Sequence, residues 1–171
     1  MAAELVFKNS FSKLRGKFCW GVRPGHGSFL ILEFGKPHLD FREPLPLAKS
    51  PSAKVTEVLS RRRVVVRGEW HWWLYQCDWE VRSAGRIVGG SSRKAAVGRA
   101  ADFLDGQRLV RFSVGPRRAQ CRFEFDLGAV LTTRPYDAKS EQWMLFEPSG
   151  RVLVVRSDGS CTRSHVELRK D

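Results

Sequence analysis

The fold is decided by two stretches of sequence, Leu30-Ile31-Leu32-Glu33-Phe34-Gly35 and Phe123-Glu124-Phe125-Asp126-Leu127-Gly128. Each stretch places apolar residues at alternate positions and ends at a glycine. Alternation with a period of two is typical of a β-strand with one buried face, and the glycine indicates a turn after it. The two stretches lie in opposite halves of the chain. They predict a β-rich fold in which one strand pattern occurs twice.

The residues around these stretches also recur in the same order. Leu14-x-Gly16-Lys17 opens the first copy and Leu104-x-Gly106-Gln107 opens the second. Leu39-x-Phe41-Arg42 then corresponds to Leu131-x-Thr133-Arg134. The opening leucine and the leucine before the arginine are 25 residues apart in the first copy and 27 in the second. Shared composition does not readily give such a match, so we expect an internal duplication.

The later landmarks and the helices extend the pattern. Glu69-Trp70-His71-Trp72 corresponds to Glu141-Gln142-Trp143-Met144. We expect each copy to begin with a helix, the first from Ala2 to about Leu14 with a break near Asn9-Ser10. The second helix is expected to be capped by Ser91 or Ser92 and to end at Gly106.

The expected fold is mainly β (α+β), with two tandem copies of a helix-plus-antiparallel-strand unit packed as two small β lobes or as one barrel or sandwich. Residues 1–88 form the first repeat, with an inserted loop at about 45–62, and residues 89–171 form a helix followed by the second repeat. Residues 83–92, rich in glycine and serine, are interpreted as a flexible join. The predicted strands are 17–22, 28–34, 38–41, 64–67, 69–81, 108–114, 120–125, 130–133, 142–146 and 151–156.

Charge is the strongest signal in the composition. Thirty Lys and Arg residues against 18 Asp and Glu give a formal net charge of +12 and a pI near 10.2. Such a surplus attracts polyanions through long-range forces that salt screens. Arginine predominates, and its planar guanidinium binds phosphate with two parallel hydrogen bonds and stacks on bases. The residues expected to contact phosphate are Arg61, Arg62, Arg63, Arg67, Arg117 and Arg118.

Four of the six tryptophans lie between Glu69 and Val81. As a strand, this stretch puts Trp70 and Trp72 on one face and Trp73 with Tyr75 on the other. One interpretation is a central strand that is buried on both sides. The other is a partly exposed aromatic row beside basic residues, on which bases stack. In the second interpretation, Trp73 and Tyr75 are the residues that contact nucleic acid.

Catalytic and metal-binding patterns are weak. His71 lies near Glu69 and Asp78 in the sequence, but neither pairing is specific for acid–base catalysis. The four cysteines are widely separated, so the sequence predicts no metal site and no cofactor. Two carboxylate pairs, Asp40 with Glu43 and Glu124 with Asp126, leave a divalent-metal nuclease as a minor alternative.

The chain has no secretory leader pattern and no apolar run of about 20 residues, the length a membrane-spanning helix requires. Scattered cysteines fit a reducing compartment, so we expect a cytoplasmic protein with free thiols and no membrane partner.

We therefore expect a non-enzymatic basic binding protein whose partner is nucleic acid, with DNA and RNA both open. The alternative is a protein-interaction module, such as an immunity protein, an antitoxin or an accessory subunit, that docks on an acidic protein. No small-molecule substrate is predicted. An exposed aromatic row within a basic surface would favour nucleic acid, whereas buried tryptophans and an apolar patch elsewhere would favour a protein partner.

Overall fold

The computed structural model describes residues 2–44, 56–57, 59–115 and 120–165. Two eleven-residue helices, α1 (Ala2–Ser12) and α2 (Lys94–Leu104), accompany eleven strands in this part of the chain. The strands are β1 (Cys19–Pro24), β2 (Leu30–Arg42), β3 (Arg63–Leu74), β4 (Asp78–Ser83), β5 (Arg86–Gly90), β6 (Leu109–Val114), β7 (Cys121–Phe125), β8 (Val130–Arg134), β9 (Glu141–Phe146), β10 (Arg151–Arg156) and β11 (Cys161–His165).

The strands form two antiparallel sheets, as the alternating pattern predicts. One sheet has the order β1-β2-β3-β9-β10-β11 and the other has the order β5-β4-β8-β7-β6. Strand β3 pairs with β9, and β4 pairs with β8, so each sheet contains strands from both halves of the chain. The sheets do not close into a barrel.

The inner faces of the two sheets share one hydrophobic core. Trp72 of β3 contacts Phe123 of β7 with ring centroids 4.6 Å apart. Phe11 of α1 lies 5.3 Å from Trp72 and 5.0 Å from Phe123, so the helix packs against both sheets. Burying aromatic side chains of this size removes about 150 to 250 Å² each from water, which is a large share of the stabilisation of a small domain.

The segments that open the two halves of the chain contact each other through reciprocal hydrogen bonds. The backbone N–H of Gly16 donates to the carbonyl of Leu109 at 2.7 Å, and that of Gly106 donates to the carbonyl of Cys19 at 2.8 Å. The N–H of Cys19 likewise donates to Gln107, and the N–H of Leu109 donates to Lys17. Each bond therefore has a counterpart 90 residues away in the sequence.

Several element boundaries differ from the sequence-based prediction. Residues 69–81 do not form one strand, because β3 ends at Leu74 and β4 begins at Asp78. The predicted strands 28–34 and 38–41 are instead one strand, β2, with an irregularity in its pairing between Phe34 and Pro37. The sequence pattern alone does not show where a strand ends or continues, since this depends on the partner strand.

The glycine-rich join and the helix start also need correction. Residues 83–92 include the strand β5, which pairs with β4. Neither Ser91 nor Ser92 caps α2, and the hydroxyl of Ser91 instead accepts a hydrogen bond from the N–H of Trp79 at 3.1 Å. The N-cap residue is Arg93, and no side chain caps the helix. Helix α1 continues through Asn9 and Ser10 without the expected break.

Candidate nucleic-acid interface

Strands β2 and β3 extend beyond their neighbours as a two-stranded ribbon. Residues 37–42 pair with residues 63–68, whereas β1 reaches only Phe34 and β9 reaches only His71. We call these two segments the β-ribbon. At its base, Gly68 opposes Pro37, and a Cβ atom at Gly68 would lie 2.5 Å from the carbonyl oxygen of Phe34. A larger residue does not fit there without a shift of the backbone.

A groove of about 750 Å³ lies between the β-ribbon and the turn that joins β9 to β10. This volume is in the range of ligand sites, about 300 to 1,000 Å³. The groove combines aromatic and basic side chains with three carboxylates. Its basic and aromatic residues are Lys36, His38, Arg42, Arg67, Arg151, His71, Trp73 and Phe146, and its carboxylates are Asp40, Glu69 and Glu147.

Trp73 is the partly exposed tryptophan of this groove. Its indole N–H donates to Nε2 of His71, and its ring meets Phe146 edge-on with centroids 5.5 Å apart. The neighbouring Trp72 points the other way and is fully buried. Alternation along β3 therefore puts one tryptophan in the core and the next in the groove.

A buried polar pair holds His71 in place behind Trp73. The carboxylate of Glu33 lies 2.8 Å from Nδ1 of His71, and both residues are buried although they are on the outer side of the sheet. Because the Trp73 indole only donates, Nε2 of His71 accepts and its Nδ1–H donates to Glu33. The ring orientation of Trp73 is thus set by a hydrogen-bonded chain from Glu33.

Glu33 is also bonded to Arg23, whose guanidinium lies 2.8 Å from its carboxylate, and to the N–H of Gly68. Burial raises the pKa of Glu33. The hydrogen bonds from His71, Arg23 and the N–H of Gly68 outweigh this and hold the pKa below the usual glutamate value. The carboxylate is therefore ionised within the sheet face.

The structure brings two of the predicted site residues, Arg67 and Trp73, into the groove. Arg67 also forms an ion pair with Asp40 at 2.8 Å. Arg63 lies opposite Arg42, at the far end of the β-ribbon. Arg61 is exposed just before β3.

Arg62 and Tyr75 do not line the groove. Arg62 is exposed and is bonded to both carboxylate oxygens of Glu43 at 2.9 Å. Tyr75 packs against Phe29 with ring centroids 4.5 Å apart. Arg117 and Arg118 lie outside the described residues. The basic and aromatic candidates from the sequence therefore converge only in part.

Sequence reasoning missed Lys36, Phe146, Arg151 and the Glu33–His71 pair. Lys36 falls between two predicted strands and Arg151 follows a predicted turn, and neither belongs to a charge cluster. Glu33 does carry a signal, because it is the only charged residue between Leu30 and Phe34. Its partner is 38 residues away and becomes apparent only from the pairing of β2 with β3.

The carboxylates considered for a metal site do not come together. Asp40 pairs with Arg67 and Glu43 with Arg62, both near the β-ribbon. Glu124 pairs with Arg122 on β7, in the other sheet. No group of three or more His, Cys, Asp and Glu residues among the described residues is arranged to hold a metal ion.

All four cysteines are free thiols. Burial raises the pKa of Cys19, Cys77 and Cys121 to about 12 and that of Cys161 to about 11. A neutral thiol is a poor nucleophile and a poor metal ligand. These side chains therefore contribute to packing.

Searches of protein-family models, curated proteins and solved structures found no match for this chain. None of the described helices has the length and apolar character that crossing a membrane requires.

Proposed function

We propose that this protein is a non-enzymatic nucleic-acid-binding protein and that the groove beside the β-ribbon is its binding site. One observation carries the proposal: the partly exposed Trp73 and the basic Arg67, predicted separately from composition and pattern, line the same groove. Stacking on one aromatic ring requires an unpaired base, so the groove suits a single strand better than a duplex.

The residues of the groove have distinct roles in this proposal. Trp73 stacks on a base, while Arg67 and Lys36 contact the backbone phosphates beside it. Arg151 lies on the opposite side, at the start of β10. Further phosphate contacts are made at the far end of the β-ribbon by Arg61, Arg62 and Arg63. His71 acts as a positioning residue because it holds the indole without reaching the base.

The test is fluorescence anisotropy with labelled single-stranded and duplex DNA and RNA over a range of salt concentrations. The Trp73→Ala variant is expected to bind a single strand roughly five- to a hundredfold more weakly, since stacking contributes about 1 to 3 kcal/mol per base. An Arg61/Arg62/Arg63→Ala variant is expected to reduce the slope of log affinity against log salt concentration, because it removes phosphate contacts.

A matched control removes three exposed arginines from the side of α2 and β5, Arg86, Arg93 and Arg99. It lowers the net charge by the same amount and is expected to leave most of the binding intact. If both triple variants weaken binding equally and Trp73→Ala has no effect, the attraction is nonspecific and the proposal is wrong.

We also propose that the chain arose by duplication and that it acts in the cytoplasm. The reciprocal hydrogen bonds near Gly16 and Gly106 support the duplication. The sheet orders β1-β2-β3-β9-β10 and β6-β7-β8-β4-β5 have the same form, which also supports it. In these two orders, β8 occupies the position of β3. The repeat seen in the sequence instead aligns part of β3 with β9. Four free thiols fit a reducing compartment.

A further inference from the structure

The β-ribbon has a second face that the groove does not use. Leu39 pairs with Val66, and Phe41 pairs with Val64, so these four side chains are on one face of the ribbon. Their exposed fractions are 57%, 50%, 60% and 52%, respectively. The opposite face carries Asp40, Arg42 and Arg67 and borders the groove. The ribbon is therefore apolar on one side and charged on the other.

An exposed and contiguous apolar face of this kind is unusual on a monomeric protein and marks an interaction surface. Scattered exposed residues such as Ile87 on β5 do not form such a patch. A two-stranded ribbon is also marginally stable by itself in water. A partner that covers this face would remove four large side chains from water and stabilise the ribbon.

Among the described residues, no strand covers either edge of the β-ribbon. In the described part of the chain, residues 37–42 and 63–68 pair with each other and with no third strand. An open edge presents backbone N–H and C=O groups that another strand satisfies. Three of the four side chains on the apolar face are aliphatic, so Phe41 alone offers bases a ring, and neither bases nor lipid supply the backbone partners that a strand edge requires. The occupant that fits both features is an extended protein segment.

Charge defines the occupant further. Within residues 36–43 and 61–67 there are six cations and two carboxylates. The cations are Lys36, Arg42, Arg61, Arg62, Arg63 and Arg67, and the carboxylates are Asp40 and Glu43. A second copy of this chain would bring two such clusters together, and like charges repel. An acidic segment would be attracted to the ribbon.

We propose that the β-ribbon binds an extended acidic segment of another protein by strand addition at one of its open edges. Side chains of a strand alternate between the two faces of a sheet. The segment therefore alternates apolar residues, which cover Leu39, Phe41, Val64 and Val66, with acidic residues, which meet the arginines on the other face. Backbone hydrogen bonds supply affinity and the alternation supplies specificity.

The first experiment measures anisotropy with three labelled twelve-residue peptides. One alternates valine and glutamate, one alternates valine and lysine, and one contains the residues of the first in the order Val-Val-Glu-Glu. The alternating acidic peptide is expected to bind about tenfold or more tightly than either comparator, because it alone matches both faces. Equal binding of the two acidic peptides would overturn strand addition.

The second experiment removes the apolar face while keeping the strand. Val64→Thr/Val66→Thr retains β-branched side chains, and Ile87→Thr is the matched control on β5. The double variant is expected to weaken binding of the acidic peptide about tenfold, and the control is expected to leave it unchanged. Thermal unfolding of both variants verifies that they fold. A double variant that folds and binds normally would overturn the proposal.

Hydrogen exchange and sedimentation complete the test. Peptide binding is expected to slow amide exchange along one edge, within residues 38–42 or 63–67. Unchanged amide exchange at both edges would contradict the proposal. Sedimentation would also contradict it if it showed micromolar self-association that Val64→Thr/Val66→Thr abolishes. Binding to phosphatidylserine vesicles without binding to the acidic peptide would also contradict it. Trp73→Ala is expected to leave peptide binding intact, so this proposal and the nucleic-acid proposal fail separately.

Discussion

The outer faces of the two sheets carry very different residues at positions that correspond in strand order. Strands β2, β3 and β9 of the six-stranded sheet correspond to β7, β8 and β4 of the other sheet. The outer side chains of the first set include Ile31, Glu33, His71, Trp73, Met144 and Phe146, and those of the second include Glu80, Arg82, Arg122, Glu124, Val130 and Thr132. The first face is aromatic with a buried, hydrogen-bonded carboxylate–histidine pair, and the second is mostly polar.

The inner faces, in contrast, are alike. Trp143 on β9 and Trp79 on β4 are both buried, as are Leu32 on β2 and Phe123 on β7. The requirements of the shared core are therefore met in the same way in both sheets. The outer faces are free of that constraint, and their difference supports placing the proposed binding site on the six-stranded sheet.

The largest expected effect tests whether the inner faces are equivalent. Trp143→Ala and Trp79→Ala should each lower the free energy of unfolding by about 3 to 5 kcal/mol, because each opens a large cavity between the sheets. Urea unfolding followed by circular dichroism measures both. A loss below about 1 kcal/mol in one variant and not in the other would break the equivalence.

A smaller effect distinguishes the outer faces. Glu33→Ala should destabilise the protein by about 3 kcal/mol, since it leaves His71 and Arg23 without their buried carboxylate. Glu124→Ala, on the outer face of β7, should lower stability by less than about 1 kcal/mol, because its pair with Arg122 is exposed. The same urea titrations give both values. Similar losses would mean that the two faces do not differ as described.

The smallest effect concerns pH. The pKa of Glu33 is below its ordinary value of 4.5, so the unfolded chain takes up a proton at this residue before the folded protein does. The stability that Glu33 provides is therefore complete above pH 4.5 and is lost as the pH falls through the lower, folded value.

The measurement is the difference in unfolding free energy between the wild type and Glu33→Gln from pH 7 to pH 3, with Glu124→Gln as the baseline variant. The difference in unfolding free energy between the wild type and Glu33→Gln should become smaller toward pH 3. A difference that widens below pH 4.5 would reverse the sign of the linkage.

The sequence predicts the local structure well because the relevant signals are local. Alternation identifies the strands, and the apolar stripe of Ala96, Val97, Ala100, Ala101 and Leu104 marks the buried side of α2. The pairing of strands is not predictable in this way. The neighbours β3 and β9 come from opposite halves of the chain, and their contact depends on how the core closes.

The same contrast between local sequence signals and strand pairing holds for the candidate site. Trp73 and Arg67 are noticeable in the sequence because tryptophan is rare and arginine is clustered. Phe146 and Arg151 reach the groove only because β9 pairs with both β3 and β10. The sequence also does not predict the β-ribbon, since its length depends on where the neighbouring strands β1 and β9 end. The pairing register of the strands, more than the composition of the chain, brings the residues of the site together.

The mixed order of the six-stranded sheet also affects how the chain folds during synthesis. Sixty-six residues separate the end of β3 from the start of β9. A ribosome adds about 5 to 20 residues per second, so β3 waits roughly 3 to 13 s for its neighbour. During that interval Trp70 and Trp72 have no complete sheet to pack in. The newly made first half is therefore the stage at which this protein most needs protection from aggregation.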